Sequence, residues 1–316
     1  MIPRIIQLSF FLLILLTLSI TSIAQPTVPY FEPDTCLIDT FGFNAECGHL
    51  IVYENRLDET SPTIRLQVVI LKSSSDTPLP DPVVYLEGGP GGSIALGGAS
   101  LGRLFLDARD FILMEQRGNR LSLPWLDCPE YDAAVLETLT MVTEDELDLL
   151  AAAASDCRDR FQAQNIDLSQ YHSAATAADF EDLRRVLGIE QWNLYGISYG
   201  TRLALTMLRD YSDGIRSLML DSVYPPVIDT YTDIPQLYVQ ARERLFAACE
   251  MDEECDSAYP NLEQRLEQAV EQMNGHPVEV AIPGYQLSIT GDDLSGFLYI
   301  AMYDIESSRL LPLLIT

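Results

Sequence analysis

The chain has 316 residues, of which 47 are acidic and 19 are basic, so its formal net charge is −28. A composition that is 47% hydrophobic and 21% charged excludes a disordered or collagen-like chain. A chain this acidic repels the phosphates of nucleic acids, which excludes DNA or RNA as a partner. The length fits one large domain or two ordinary ones.

The first 24 residues have the pattern of a cleaved secretory signal. Arg4 supplies the positive start, residues 5–20 form an apolar run, and Ser22-Ile23-Ala24 offers small residues at a cleavage site. An uncleaved membrane anchor is the alternative, but the run is shorter than the roughly 20 residues of a membrane span. We therefore predict a secreted protein, extracellular or periplasmic, with no stable membrane association after signal removal.

Six cysteines follow the predicted signal. An even number in an exported chain indicates disulfides, although spacing alone leaves several connectivities open. Zinc is the alternative, but no Cys-x-x-Cys pair occurs and only His49 lies near a cysteine pair, so we predict neither a metal nor another cofactor. The predicted disulfides are the sequence-local pairs, Cys36 with Cys47, Cys128 with Cys157, and Cys249 with Cys255.

Short apolar runs alternate with amphipathic ones through the first two thirds of the chain. Thr143-x-x-Glu146 is a capping box that begins a helix toward Cys157, and further helices end at Gly188 and follow Ser198. Strands that alternate with helices indicate an α/β domain with a mostly parallel sheet. The predicted strands are residues 49–53, 64–71, 82–86, 111–114, 192–195 and 217–220.

The pattern changes after Pro225-Pro226. Residues 231–273 are predicted to be mainly helical, and residues 277–289 to form a short hairpin before another helical stretch. We therefore place a boundary near residue 225, between a core of residues 25–225 and a second segment of residues 226–316.

Gly196-Ile197-Ser198-Tyr199-Gly200 follows a predicted strand and begins a predicted helix. In that context the Gly-x-Ser-x-Gly pattern holds the serine on a tight, strained turn, from which its Oγ projects above the sheet. The glycines let the strand and the helix pack closely, and the helix N-terminus favours developing negative charge. Ser198 is therefore the predicted nucleophile, and a serine in an ordinary strand–helix turn is the alternative.

A glycine-rich loop, residues 88–93, follows the predicted strand 82–86 and has the sequence Gly-Gly-Pro-Gly-Gly-Ser. Acyl transfer needs bare backbone N–H groups aimed at the carbonyl oxygen that gains charge, and such loops supply them. Pro90 has no N–H, so we assign the oxyanion hole to the N–H groups of Gly89 and Tyr199. A phosphate-binding loop is one alternative, although residues 88–93 lack the Lys-Ser/Thr ending of such loops. A purely structural turn is another.

Glu115-Gln116-Arg117-Gly118 follows the predicted strand 111–114, and the carboxyl end of a strand in such a sheet borders the active-site crevice. Arg117 organises the neighbouring loops or contacts substrate, or else it forms a structural salt bridge, as arginine forks commonly do. The predicted active-site loop residues are Gly88, Pro90, Gly91, Gln116 and Arg117.

Together, these three motifs resemble the α/β-hydrolase superfamily, and more narrowly the serine exopeptidases of the proline iminopeptidase and tripeptidyl aminopeptidase type. That family has a His-Gly-Gly-Pro-Gly-Gly loop, an Asp-Gln-Arg-Gly loop and a Gly-x-Ser-x-Gly elbow in this order, and its secreted tripeptidyl-aminopeptidase-like branch is the most similar. The resemblance implies an α/β-hydrolase fold with a helical cap at residues 226–316. This sequence departs from the family at Glu87, which replaces histidine, and at Glu115, which replaces aspartate.

A serine nucleophile needs a histidine base and an acid, and in this fold the acid and then the histidine follow the serine. His276 is the only histidine after Ser198, and its place in a turn of the second segment fits a base poorly. His49 and His172 precede the serine and are predicted to be structural or exposed. Asp221 could serve as the acid, but we expect it to shape a loop.

The chain stops within an apolar stretch, residues 310–316. The resemblance places the acid and the histidine after two further strands. We therefore expect an N-terminal portion of a longer enzyme, in which the cap is incomplete and the last strands of the sheet are missing. Such a sheet has an open edge.

The leading hypothesis is a secreted aminopeptidase that releases residues from peptide N-termini through an acyl-enzyme on Ser198. One alternative keeps the same machinery and hydrolyses esters or other small acyl compounds, since one fold hosts both chemistries. The other is a catalytically incomplete fragment or a non-enzymatic binding protein. The expected partner is a peptide or small acyl substrate, and the sequence does not indicate an oligomeric state.

Overall fold

A computed structural model describes residues 27–139 and 145–316. The predicted signal and Thr143 of the predicted capping box lie outside the described residues. The strands are β1 (Tyr30–Pro33), β2 (Ala45–Tyr53), β3 (Thr63–Leu71), β4 (Val83–Leu86), β5 (Phe111–Met114), β6 (Ser122–Leu123), β7 (Trp192–Ile197), β8 (Ile215–Asp221), β9 (Val278–Ile282) and β10 (Tyr285–Ile289). The α-helices are α1 (Pro129–Thr138), α2 (Asp145–Ala163), α3 (Ser173–Val186), α4 (Tyr199–Tyr211), α5 (Thr230–Met251), α6 (Glu253–Ala258), α7 (Leu262–Gly275), α8 (Gly291–Ala301) and α9 (Ile305–Ile315).

The first eight strands form one mixed sheet in the order β1-β2-β3-β5-β4-β7-β8, with β6 paired to β3. Strands β5, β4, β7 and β8 run parallel, whereas β1, β2 and β3 pair antiparallel. All six predicted strands of this sheet are present. The two that the sequence did not predict are β1, which ends at a proline, and β6, which has only two residues.

The central strands are buried on both faces because successive side chains alternate between two hydrophobic clusters. On one face, Val84 of β4 packs with Phe180 of α3 and Leu203 of α4. On the other face, Val83 packs with Ile94 from the loop after β4. This double coverage explains why these strands are short and almost wholly apolar in sequence.

Strand β8 forms one edge of the sheet, and within the described ranges it pairs only with β7. Arg216 and Ser217 of this strand are exposed, whereas β4 and β5 are buried throughout. The sheet therefore has the open edge that the sequence predicted, at least in the part of the chain that the structure describes.

The residues after position 225 have a hydrophobic cluster of their own. Phe246 of α5, Leu266 of α7, Leu298 of α8 and Leu311 of α9 belong to this cluster. Strands β9 and β10 form the predicted hairpin, and the segment from Thr230 is helical as predicted. The assignment of residues 226–316 as an inserted cap stays a prediction.

Disulfides join the cysteines in the three predicted sequence-local pairs. Cys36–Cys47 ties the loop after β1 to β2, Cys128–Cys157 ties the start of α1 to α2, and Cys249–Cys255 ties α5 to α6. No helix within residues 27–139 and 145–316 is both long and apolar enough to cross a membrane.

Candidate active site

Ser198 occupies a sharp turn between β7 and α4. Its φ of 53° and ψ of −119° are unusual for a residue with a side chain, so the turn is strained. The flanking glycines make the turn possible because a Cβ on Gly196 would lie 2.5 Å from the Gly200 carbonyl oxygen. A Cβ on Gly200 would lie 1.9 Å from the carbonyl oxygen of Leu86 in β4. The sequence pattern is therefore a direct consequence of how tightly β7, α4 and β4 meet.

Hydrogen bonds from the end of β8 hold this strained turn. The Ser198 N–H donates to the Asp221 carbonyl oxygen at 2.9 Å. The Thr201 hydroxyl donates to the Ser198 carbonyl oxygen at 2.6 Å, and the Tyr224 N–H donates to the Thr201 hydroxyl at 2.8 Å. Thr201 is fully buried, and its hydroxyl links Ser198 to the segment after β8. Sequence analysis did not identify Thr201, because nothing in the local sequence points to a residue 23 positions away.

Replacing Thr201 by valine keeps the shape of the side chain and removes both hydrogen bonds of the hydroxyl. The partly buried Tyr224 N–H then loses its hydrogen-bond acceptor, so we expect a loss of about 1–3 kcal/mol in the free energy of unfolding. Thr201→Ser is the matched control, because it keeps the hydroxyl, and it should retain most of the stability. Urea unfolding measures both values, and equal stability of the valine and serine variants would contradict the assigned role.

The glycine-rich loop passes directly against Ser198. A Cβ on Gly88 would lie 3.2 Å from the Ser198 Cβ, and Gly89 and Gly91 adopt φ values of +113° and +91° that favour glycine. In the described part of the chain, no protein group accepts a hydrogen bond from the N–H of Gly89 or of Tyr199, the first residue of α4. Both donors are thus free for an oxyanion. Pro90 and Gly89 are exposed, whereas Gly88 is buried.

The segment after β5 holds the glycine-rich loop at three points. The Gln116 side-chain amide donates to the Glu87 carbonyl oxygen at 2.9 Å, at the start of the loop. The Asn119 side-chain amide donates to the Gly92 carbonyl oxygen at 2.7 Å, and the Ser93 hydroxyl donates to Glu115 Oε2 at 2.7 Å, both at its end. The two loops that the sequence identified separately are therefore one unit, and Asn119, which sequence analysis missed, is part of it.

Two carboxyl groups lie beside this unit. Glu87 Oε1 accepts hydrogen bonds from the Gly88 N–H at 2.9 Å and from the Tyr85 hydroxyl at 3.1 Å. Glu115 is fully buried, and burial raises the pKa of its carboxyl to about 7, with a smaller contribution from the negative charge of Glu87. The two departures from the family pattern thus place carboxyl groups next to the loop without removing any backbone donor.

Arg117 points away from the glycine-rich loop into a buried ion pair. Its guanidinium donates to both carboxylate oxygens of Asp179, at 2.7 and 2.8 Å, and to the carbonyl oxygens of Glu54 and Gln170. Arg56 also contacts Asp179. Both side chains of the Arg117–Asp179 pair are buried. The prediction that Arg117 contacts substrate is therefore wrong, because its guanidinium N–H groups already donate to protein acceptors. The interpretation of Arg117 as part of a structural salt bridge agrees with these contacts.

The three histidines contact groups other than Ser198 in the described part of the chain. His49 is buried beside Asp34 and Arg65, and burial lowers the pKa of its imidazole. His172 caps α3, and His276 is exposed at the end of α7. The Asp221 carboxylate accepts a hydrogen bond from the Ser222 hydroxyl, and its carbonyl holds the elbow. No base–acid pair for the serine is therefore assembled within the described residues.

The sequence of this chain matches a known protein family. The model of the family described as alpha/beta hydrolase fold matches residues 81–259, more than half of the chain, and this range includes all three motifs. The chain therefore belongs to the alpha/beta hydrolase fold family, and the predicted fold class is confirmed.

Individual relatives are more distant. A protein of Streptomyces coelicolor named "Probable proline iminopeptidase" is 29% identical over 143 residues, which cover 45% of this chain and 32% of the relative. The chain thus spans about a third of the length of this curated relative. An alpha/beta hydrolase fold protein from Chitinophaga pinensis is 15% identical, with a TM-score of 0.37. The match covers 65% of this chain and 53% of that protein. Cfl2 from Burkholderia cenocepacia is 14% identical, with a TM-score of 0.34, and the match covers 91% of this chain and 74% of Cfl2.

Proposed function

We propose that this chain carries the nucleophile and the oxyanion hole of a secreted serine hydrolase that removes residues from peptide N-termini. The observation that carries the proposal is the strained elbow at Ser198, packed against Gly88 and flanked by two N–H donors that no other group in the described residues engages. A strained turn is kept in a folded protein only where its surroundings enforce it, and such turns cluster at functional sites.

In the proposed reaction, the Ser198 Oγ attacks the carbonyl carbon of the scissile peptide bond as its proton is removed. The C–N bond breaks, the leaving amine takes up a proton, and the acyl group stays on Ser198. Water then hydrolyses this ester and regenerates the serine. The N–H groups of Gly89 and Tyr199 bind the oxygen that becomes negative, and one such donor typically contributes ~3–4 kcal/mol to lowering the barrier.

Two observations favour a peptide over an ester as substrate. The three motifs occur in the order found in the resembled exopeptidases. The relative from Streptomyces coelicolor carries a peptidase name. In the proposal, the helical segment from Thr230 onward caps the site and excludes long internal stretches of chain. The tripeptidyl-aminopeptidase-like branch is the more specific form of this proposal, and the acidity of the chain suits a substrate with a free α-ammonium group.

Secretion is part of the proposal. Three disulfides suit an oxidising compartment, and the described helices include no membrane span. The predicted signal at residues 1–24 supplies the route of export.

The test uses the protein expressed from its complete coding sequence. We expect it to hydrolyse aminoacyl and short peptidyl amides with a free N-terminal amine much faster than their N-acetylated counterparts. Ser198→Ala should lower kcat by about 10⁴-fold or more without changing the unfolding midpoint, because no other group replaces the nucleophile. Equal rates on free and acetylated substrates would contradict aminopeptidase action, turnover of acyl esters alone would favour the esterase, and no turnover would favour a binding protein.

A further inference from the structure

Gln67 and Glu115 lie opposite each other across β3 and the end of β5. The antiparallel register pairs Val68 with Met114, so the next pair outward is Gln67 with Glu115, and the Glu115 N–H donates to the Gln67 carbonyl oxygen at 2.8 Å. Opposed residues of an antiparallel pair project their side chains to the same face. Both residues are fully buried. By the geometry of opposed strand residues, their Cβ atoms lie roughly 4.5–5.5 Å apart, in a region that water does not reach.

Each of these two side chains has one oxygen without a partner. Among the described residues, neither Gln67 Oε1 nor Glu115 Oε1 takes part in a hydrogen bond. Two buried acceptors cannot hydrogen-bond to each other, and a buried acceptor without a donor lowers the stability of the folded state. One proton on Glu115 Oε1 resolves both, because a carboxylic acid donates its O–H to an amide oxygen.

The charged surroundings also disfavour a carboxylate at position 115. The Ser93 hydroxyl, the Ile94 N–H and the Asn119 amide are neutral donors that lower the pKa of Glu115, but burial raises it by more, and the nearby charge from the loop after β4 is the negative Glu87. Arg117, two residues along the chain, gives its guanidinium to Asp179 and to backbone carbonyls.

The charged residue nearest to Gln67 along β3 is Arg65, which pairs with Glu32 and contacts His49. Its cation is therefore engaged by other groups. None of the elements packed on Glu115 thus brings an unshared positive charge to it within the described residues.

We infer that Glu115 is a neutral carboxylic acid in the folded protein, that its proton joins Glu115 Oε1 to Gln67 Oε1, and that its other oxygen holds Ser93 at the end of the glycine-rich loop. Glu115 is then a positioning residue: it anchors the loop that carries the Gly89 N–H to the rigid centre of the sheet. The consequence for catalysis rests on the proposed function, whereas the protonation state does not.

The direction of the pH effect follows from burial. The pKa of Glu115 in the folded protein is raised to about 7, above the ordinary value of 4.5. The folded state therefore retains a proton that the unfolded state loses, and this contribution to stability is complete below the ordinary pKa. It decreases as the pH rises and is lost once the pH has passed through the folded value.

The experiment compares the full chain with Glu115→Gln, whose amide keeps one donor for Gln67 and one acceptor for Ser93. Infrared difference spectra at about pH 5.5 should show a protonated carboxyl stretch in the unaltered protein that is absent from the variant, and this band should vanish by about pH 8.5. Urea midpoints should fall more steeply with pH in the unaltered protein than in the variant. Glu306→Gln is the matched control, because Glu306 is exposed, and it should leave the band unchanged.

Gln67→Leu keeps the inference testable if Glu115→Gln does not fold. It removes the amide oxygen that accepts the proton, so the carboxyl band should move to the position of an acid without an acceptor. Absence of a protonated band at about pH 5.5, or a band that Gln67→Leu does not shift, would overturn the inference. Because neither readout depends on turnover, a protein without peptidase activity could still confirm the protonation, and an active one could refute it.

Discussion

Gly200→Ala is expected to lower the free energy of unfolding by about 3 kcal/mol or more. The added Cβ would lie 1.9 Å from the carbonyl oxygen of Leu86, which belongs to a strand paired on both sides. Neither the strand nor the first turn of α4 can move without breaking backbone hydrogen bonds. The same displacement would shift Ser198, so we also expect the elbow to lose its geometry.

Gly296→Ala is the matched control for this prediction. Gly296 lies inside α8, and a Cβ there meets nothing within 4 Å. Alanine favours a helix interior over glycine, so the same chemical change should stabilise the protein by about 0.5–1 kcal/mol. Thermal or urea unfolding of both variants gives the comparison. If Gly200→Ala were as stable as Gly296→Ala, the close approach of α4 to β4 would be refuted.

Asp179→Asn is expected to cost about 3–5 kcal/mol, because it leaves a buried guanidinium without its counter-charge. Asp179 receives two hydrogen bonds from Arg117 and a further contact from Arg56. The amide of asparagine can accept only part of this set and presents donors where acceptors are needed. The ion pair joins the segment after β5 to α3, so its loss should loosen the loop unit beside the elbow.

Glu306→Gln provides the corresponding control at the surface. Glu306 pairs with Arg309 on α9, and their side chains are 71% and 68% exposed. Exposed ion pairs contribute little to the free energy of unfolding, so the change in stability should stay below about 0.5 kcal/mol. Chemical denaturation should therefore give a much larger loss in the free energy of unfolding for Asp179→Asn than for Glu306→Gln. Similar losses at both positions would show that the Asp179 network is no stronger than a surface pair.

The elbow could be predicted from sequence because its chemistry is local. A serine flanked by glycines between a strand and a helix contains all the residues that the strained turn itself requires. The parallel strands were also predictable, since strands covered on both faces are short apolar runs. Strand order was not, because pairing of β4 with both β5 and β7 depends on contacts between residues far apart in the chain.

The roles of individual polar residues were the least predictable part of the site. Arg117 belongs to a motif that borders the glycine-rich loop, yet its partner Asp179 lies 62 positions away. Asn119 and Thr201 support the loop and the elbow through bonds to backbone atoms, which leave no pattern in the sequence of either partner. The elbow and the glycine-rich loop were therefore easier to predict from sequence than the polar residues that hold them in place.

The bonds that hold Ser198 also set the order in which the site can be assembled during synthesis. Its N–H and carbonyl are secured by Asp221 and, through Thr201, by Tyr224, all of which the ribosome adds after the serine. A strained backbone persists only when its surroundings enforce it. The complete set of bonds around Ser198 therefore requires the chain up to residue 224, so the strained turn cannot be fully held before β8 has paired with β7.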